Sequence, residues 1–160
     1  APAWDEADRA LAAQFAATLS TGERADNLAS TLSATDLPLS HYAGKDLDDG
    51  IAPFFYDPKT AEPGSTDVGD VSYVVPTAEI HTATACLGNV GHSWQNTAFS
   101  NSSVGEKGMR AAAQAMALTC LRIAGNPDVL TKAWDELKKK NGGGYVCPLP
   151  DEVTPPVGRY

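Results

Sequence analysis

His92 is the residue best placed to do chemistry. It lies in Gly88-Asn-Val-Gly-His-Ser-Trp-Gln-Asn96, between an apolar run ending at Leu87 and a long alanine-rich helical pattern. In open α/β sheets, sites gather at loops where a strand gives way to a helix. A neutral imidazole is the commonest protein ligand for a divalent metal, although most loop histidines only hold a backbone carbonyl. Gly91 lets the backbone approach closely, and Trp94 is large enough to keep water from a charged centre. Asp67 and Asp70 form a second candidate. Three residues apart, they share a face if they lie on one helical turn. There they could orient a metal-bound histidine; equally, aspartates at that place cap a turn before a strand. His41 and His81 read as surface or strand residues. Cys86 and Cys120 lie in apolar runs, where cysteine behaves as a small hydrophobe.

The elements that must position these residues follow from periodicity. Trp4, Ala7, Leu11, Phe15 and Leu19 recur at helical spacing, with Asp5, Glu6 and Asp8 where the N-terminal dipole favours acids. A weaker helical pattern runs over 22–33, and residues 34–50 read as a polar loop. Residues 51–56 could form a short edge strand, since Pro53 donates no ladder hydrogen bond. A turn-rich loop over 63–70 feeds the β-branched and aromatic run 71–75, which predicts a strand. Residues 78–87 predict another. A long helix follows over 104–123, with small residues that let it lie close against a sheet. Asn126 and Pro127 then start a last helix, Gly142 follows its end, and the proline-containing tail from Tyr145 reads as extended.

This order fits part of an α/β layered fold whose sheet is too thin for its apolar surface, so further strands are inferred. One segment over 1–160 is expected: helices and loop at 1–50, strands and site loops at 51–97, helices at 98–142 and the tail at 143–160. The chain begins Ala1-Pro2-Ala3 without methionine, so it reads as processed or as a piece of something longer.

Composition excludes several classes. Net charge is -8 at pH 7 and the pI is near 4.7, so the basic face that nucleic acid requires is absent. Lys138, Lys139 and Lys140 complement the dipole at a helix end. No run approaches the roughly 18 apolar residues of a membrane-spanning helix, and no secretory signal pattern opens the chain. The three cysteines make neither a zinc-knuckle spacing nor a disulfide framework, which suits a reducing cytoplasm. Phosphate-binding glycine loops, the nucleophile elbow and the His-Glu-x-x-His helix are also missing.

Four motifs in order carry a resemblance: Gly64-Ser-Thr-Asp-Val-Gly-Asp-Val-Ser-Tyr73, Gly91-His-Ser-Trp-Gln95, Lys107-Gly-Met109 in the alanine-rich helix, and Tyr145-Val-Cys-Pro-Leu-Pro150 before Val153-Thr-Pro155. Together they resemble the C-terminal third of the aminobenzoyl-glutamate utilisation protein B group. That group is part of the metallopeptidase and amidohydrolase family that includes carboxypeptidase G and the indole-acetyl-amino-acid hydrolases.

The resemblance implies the C-terminal portion of a three-layer α/β/α zinc-peptidase-like catalytic domain, without the lid and dimerisation domain. It implies hydrolysis of the amide bond of p-aminobenzoyl-glutamate or a related N-acyl amino acid, as in folate catabolism. One or two divalent ions, Mn or Zn, would activate water for attack on the carbonyl. His92 matches the last metal ligand of the family. Asp67 and Asp70, with Thr66 beside them, match an acidic loop in a supporting role, and Trp94 and Gln95 match neighbours that shape the pocket. The other metal ligands, the glutamate base and the lid histidine have no counterpart here. The chain alone is therefore expected to be inert, with the N-terminal part of the same enzyme as its partner in a homo- or hetero-oligomer. The competing reading is a degenerate, non-catalytic module used for oligomerisation or ligand binding.

Overall fold

A computed structural model describes residues 1–32, 35, 37–55, 66, 68–150, 152–154 and 157–158. Six α-helices appear among them: α1 Glu6–Ala16, α2 Thr21–Leu32, α3 Val68–Val74, α4 Trp94–Ser100, α5 Ser103–Ala124 and α6 Pro127–Lys140, with a 3-10 turn at Leu39–Tyr42 between α2 and α3. None of these helices is long and apolar enough to cross a membrane.

The expected three-layer α/β architecture is not what the chain adopts, for no strand occurs among the described residues. The run 71–75 lies mostly inside α3. Thr66 supplies the reason locally: its Oγ1 accepts from the Val68 N–H at 3.2 Å, and its carbonyl accepts from Gly69 N–H at 3.4 Å. Asp70 adds an acid to the first turn, where the helix dipole favours it. A β-prone run without a partner strand leaves half its backbone groups unpaired, so propensity yields to the hydrogen bonds a helix makes by itself. The second expected strand, 78–87, is irregular, with a bend at Ala85 and a turn at Leu87, and pairs with no strand among the described residues. Thr82 Oγ1 donates to the Gly108 carbonyl at 3.0 Å, and Leu87 N–H donates to the Asp46 carbonyl at 2.8 Å. Of the third, residues 51–55 are irregular and Tyr56 lies outside the described residues.

Two compact units divide the chain. Ala1–Pro63 and Ile80–Leu121 form the first, Gly64–Glu79 and Arg122–Tyr160 the second. In the first, α1 starts with reciprocal caps: Asp5 Oδ1 accepts from Asp8 N–H and Asp8 Oδ2 accepts from Asp5 N–H, both at 2.9 Å, which satisfies two orphan donors. Its inner face then buries Ala12 and Ala16 with Leu47, Cys86, Phe99 and Val104, and Trp4, Leu11, Phe15 and Leu19 pack around them. Each large side chain so buried contributes about 1.5–3 kcal/mol. The start of α5 reaches this core because its glycines leave room for backbone. A Cβ at Gly105 would lie 2.3 Å from the Phe99 carbonyl oxygen, and one at Gly108 would lie 2.1 Å from that of Ala83.

The second unit is held differently. Neither α3 nor α6 buries a residue. Asn141 Nδ2 donates to the Tyr73 carbonyl at 2.9 Å, and the Tyr73 and Tyr145 rings stack with centroids 5.9 Å apart. Lys138, Lys139 and Lys140 close α6, and Gly142 follows in the left-handed region at φ 64, as the C-terminal signals predict.

Candidate functional site

The loop that carries His92 is anchored at its start by α2. Arg24 Nε donates to the Leu87 carbonyl at 3.2 Å, while its terminal nitrogen bonds the Lys45 carbonyl at 2.9 Å and Asp46 Oδ1 at 2.6 Å. One half-buried guanidinium thus ties three segments together. Gly88 follows at φ 76, and a Cβ there would lie 2.6 Å from the Arg24 carbonyl oxygen. Only glycine meets both demands.

The loop closes on itself through Ser93. Its hydroxyl donates to the Val90 carbonyl at 2.6 Å and accepts from Asn96 N–H at 3.2 Å, making Ser93 the N-cap of α4. Asn89 Nδ2 donates to Asn96 Oδ1 at 2.9 Å. Asn89 Oδ1 is buried without a partner among the described residues, and such an orphaned acceptor costs about 1–3 kcal/mol. Between these clasps His92 adopts φ 55, the only positive φ outside glycine among the described residues. Histidine enters the left-handed region more readily than most residues, yet it remains uncommon there. A strained backbone held by a rigid surround motivates a functional hypothesis for that residue. The imidazole itself is exposed.

Trp94 and Gln95 open α4 on opposite terms. Trp94 is 61% exposed, with its ring 5.6 Å from that of Phe15. Gln95 is buried and its Nε2 donates to Thr18 Oγ1 at 3.2 Å. It fixes α4 to the end of α1.

The remaining candidates lie in the second unit. Thr66 caps α3 and is exposed. Asp70 accepts from the Tyr145 hydroxyl at 2.9 Å, and that hydrogen bond to a carboxylate pushes the phenol up to about 12. Asp67 lies outside the described residues. The structure therefore brings His92, Trp94 and Gln95 together in one unit and places Thr66 and Asp70 in the other.

The described residues alone do not make a complete metal centre. Among the described residues no three His, Cys, Asp or Glu side chains converge, so His92 offers one imidazole and no more. Cys86 is buried, and burial pushes its thiol up, away from the thiolate that binds metal. Cys120 is exposed, contrary to the expectation from its apolar surroundings.

Sequence reasoning missed one cluster. Asp8 is fully buried and accepts from Lys107 Nζ and from Ser103 Oγ at 2.5 Å, while Lys107 also bonds Asp5 at 2.7 Å. Burial alone would raise the Asp8 carboxyl; hydrogen bonds from Lys107, Ser103 and the Asp5 N–H outweigh it and lower the value to about 2. The cluster joins the start of α1 to the start of α5 and so sets the depth of the core. Asp8 was legible only as a helix-end acid, and its partner 99 residues away left no local signal.

No known protein-family profile and no solved structure matches the chain. Among curated proteins, the p-aminobenzoyl-glutamate hydrolase subunit designated B in Escherichia coli (strain K12) is 30% identical over 161 residues, which is 96% of this chain and 33% of that protein. The chain thus spans about a third of the relative's length, and over nearly all of its own length it is similar to a subunit of p-aminobenzoyl-glutamate hydrolase.

Proposed function

We propose that this chain is part of a hydrolase that cleaves the amide bond of p-aminobenzoyl-glutamate or a related N-acyl amino acid, and that it is inactive without further polypeptide. The observation that carries this reading is the similarity to a hydrolase subunit over 96% of the chain. The left-handed backbone at His92, held between Gly88 and the Ser93 cap, supports it, because such a conformation fixes where an imidazole leaves the loop. In the complete enzyme His92 supplies one ligand to a divalent ion, Mn or Zn, whose other ligands lie outside this chain. Such an ion would supply activated water for attack on a carbonyl. Trp94, two residues on, shapes the pocket, Gln95 positions α4, and Thr66, Asp67 and Asp70 take supporting roles. The relative's designation as one subunit of a hydrolase is the ground for proposing that a second subunit takes part.

The test uses protein purified from the cells that make it, with intact mass, bound metal and release of p-aminobenzoate from p-aminobenzoyl-glutamate measured together. The expected result is a longer polypeptide or a complex that binds metal and turns over. His92→Asn then lowers turnover by about 100-fold while the loop keeps its shape, since Asn tolerates the left-handed region. A species of 160 residues that neither binds metal nor turns over would point instead to a non-catalytic module.

A further inference from the structure

Helix α5 buries residues only near its start; beyond Gly108 all are half-buried or exposed, Leu118 at 60% and Leu121 at 69% among them. Val104, Gly105 and Gly108 face the core and are buried. A second apolar stripe runs along Met109, Ala113, Met116, Ala117 and Cys120, the spacing of one face over three turns. All five are exposed, Met109 at 61% and Met116 at 56%. No charged residue interrupts the stripe; Arg110 lies at its margin and pairs with Glu106 at 3.0 Å. Water on such a face is unfavourable at about 25 cal/mol per Å² of apolar area, and methionines beside small residues suit close packing against an irregular apolar surface.

We infer that this face of α5 is the docking surface for the polypeptide that supplies the remaining two thirds of the relative's length. The inference rests on the proposed function, in which the chain works only with further polypeptide. Two observations choose the occupant. The chain spans 33% of a relative that it matches over 96% of itself, so under the proposed function the partner is the polypeptide matching the rest of that relative. The stripe is uncharged, so the partner surface it fits is apolar rather than acidic or basic. A second copy of the chain would suit the same apolarity but would leave the other two thirds without a seat on this helix.

Cys120 lies on the face and reports on it directly. Cys147 is also exposed and Cys86 is buried, which gives a reactive and an unreactive internal control. The experiment compares maleimide labelling of the 160-residue chain with that of the protein purified from the cells that make it, followed by peptide mapping. In the chain alone, Cys120 and Cys147 label and Cys86 does not. In the native protein, Cys120 labelling slows by about 100-fold relative to Cys147, with the protecting polypeptide mapping onto the relative's other two thirds. Ala113→Glu then restores labelling, while it moves the melting temperature of the chain alone by no more than about 2 °C, as a surface substitution should. If that polypeptide is present and Cys120 labels freely, the docking inference fails and the proposed function stands. If Cys120 is protected by a second copy of the chain, or the native protein lacks the other two thirds, the inference falls, in the latter case together with the function on which it rests.

Discussion

The first unit encloses Ala12, Ala16, Leu47, Cys86, Phe99 and Val104 and seals Asp8 beneath Lys107, whereas α3 and α6 of the second bury nothing. Both units contain apolar side chains in plenty. Val71, Val74, Leu130 and Trp134 are as hydrophobic as anything in the core, yet they are exposed by 39% or more. Burial, then, is decided by whether backbones can come close. Gly88, Gly105 and Gly108 permit that in the first unit, while a Cβ added at Gly142, Gly143 or Gly144 would meet no atom within 4 Å, so no close backbone approach depends on them. A region held by exposed polar clasps opens locally at lower free energy than one held by a core.

The comparison breaks most plainly at Phe99. Phe99→Ala leaves a cavity between α1, α4 and α5 and destabilises the first unit by about 3–5 kcal/mol, measured as a fall in the urea midpoint. An unchanged midpoint would show that the core does not hold this unit. Acid sharpens the contrast next. The Asp8 carboxyl is lowered from 3.8 to about 2, so its contribution is complete above about pH 4 and disappears as the pH falls toward about 2. Allowing for the partial exposure of Lys107, this amounts to about 2 kcal/mol, and Asp8→Asn should flatten that limb of the stability curve. In the second unit the effects are smaller and local. Tyr145→Phe removes the hydrogen bond to Asp70 and should speed amide exchange in α6 while α1 is unaffected. In an absorbance titration the same substitution removes the phenolate that appears near pH 12, and Asp70→Asn brings it back toward 10. Faster exchange in α1 as well would mean that the two units unfold as one.

Helices in the sequence were legible where short-range chemistry decides them. Asp5 and Asp8 mark the start of α1, and Asn126 with Pro127 marks that of α6. The expected strands did not form, because residues 71–75 and 78–87 satisfy β propensity without a strand to pair with among the described residues. The first part of α4, 94–97, was read as site loop for a related reason: Ser93 caps the helix, but it packs through Phe99 and Gln95 onto the α1 region, which is distant in sequence. The candidate site at the His92 loop was chosen from residue types and order. What they left out was its backbone conformation, fixed by Arg24 and Gly88 from across the fold, and the pairing of Asp8 with Lys107.

The left-handed bend at His92 also bears on how this position can change through mutation. Asn and Asp share with His an elevated tolerance for that conformation, and each is a single base change from a histidine codon. A lineage released from the need for an imidazole would therefore drift to Asn or Asp at position 92 while the bend persists, whereas most other replacements would strain the loop. On the role proposed for His92, the residue at 92 in a set of genomes would thus record which lineages have kept the chemistry, separately from which have kept the fold.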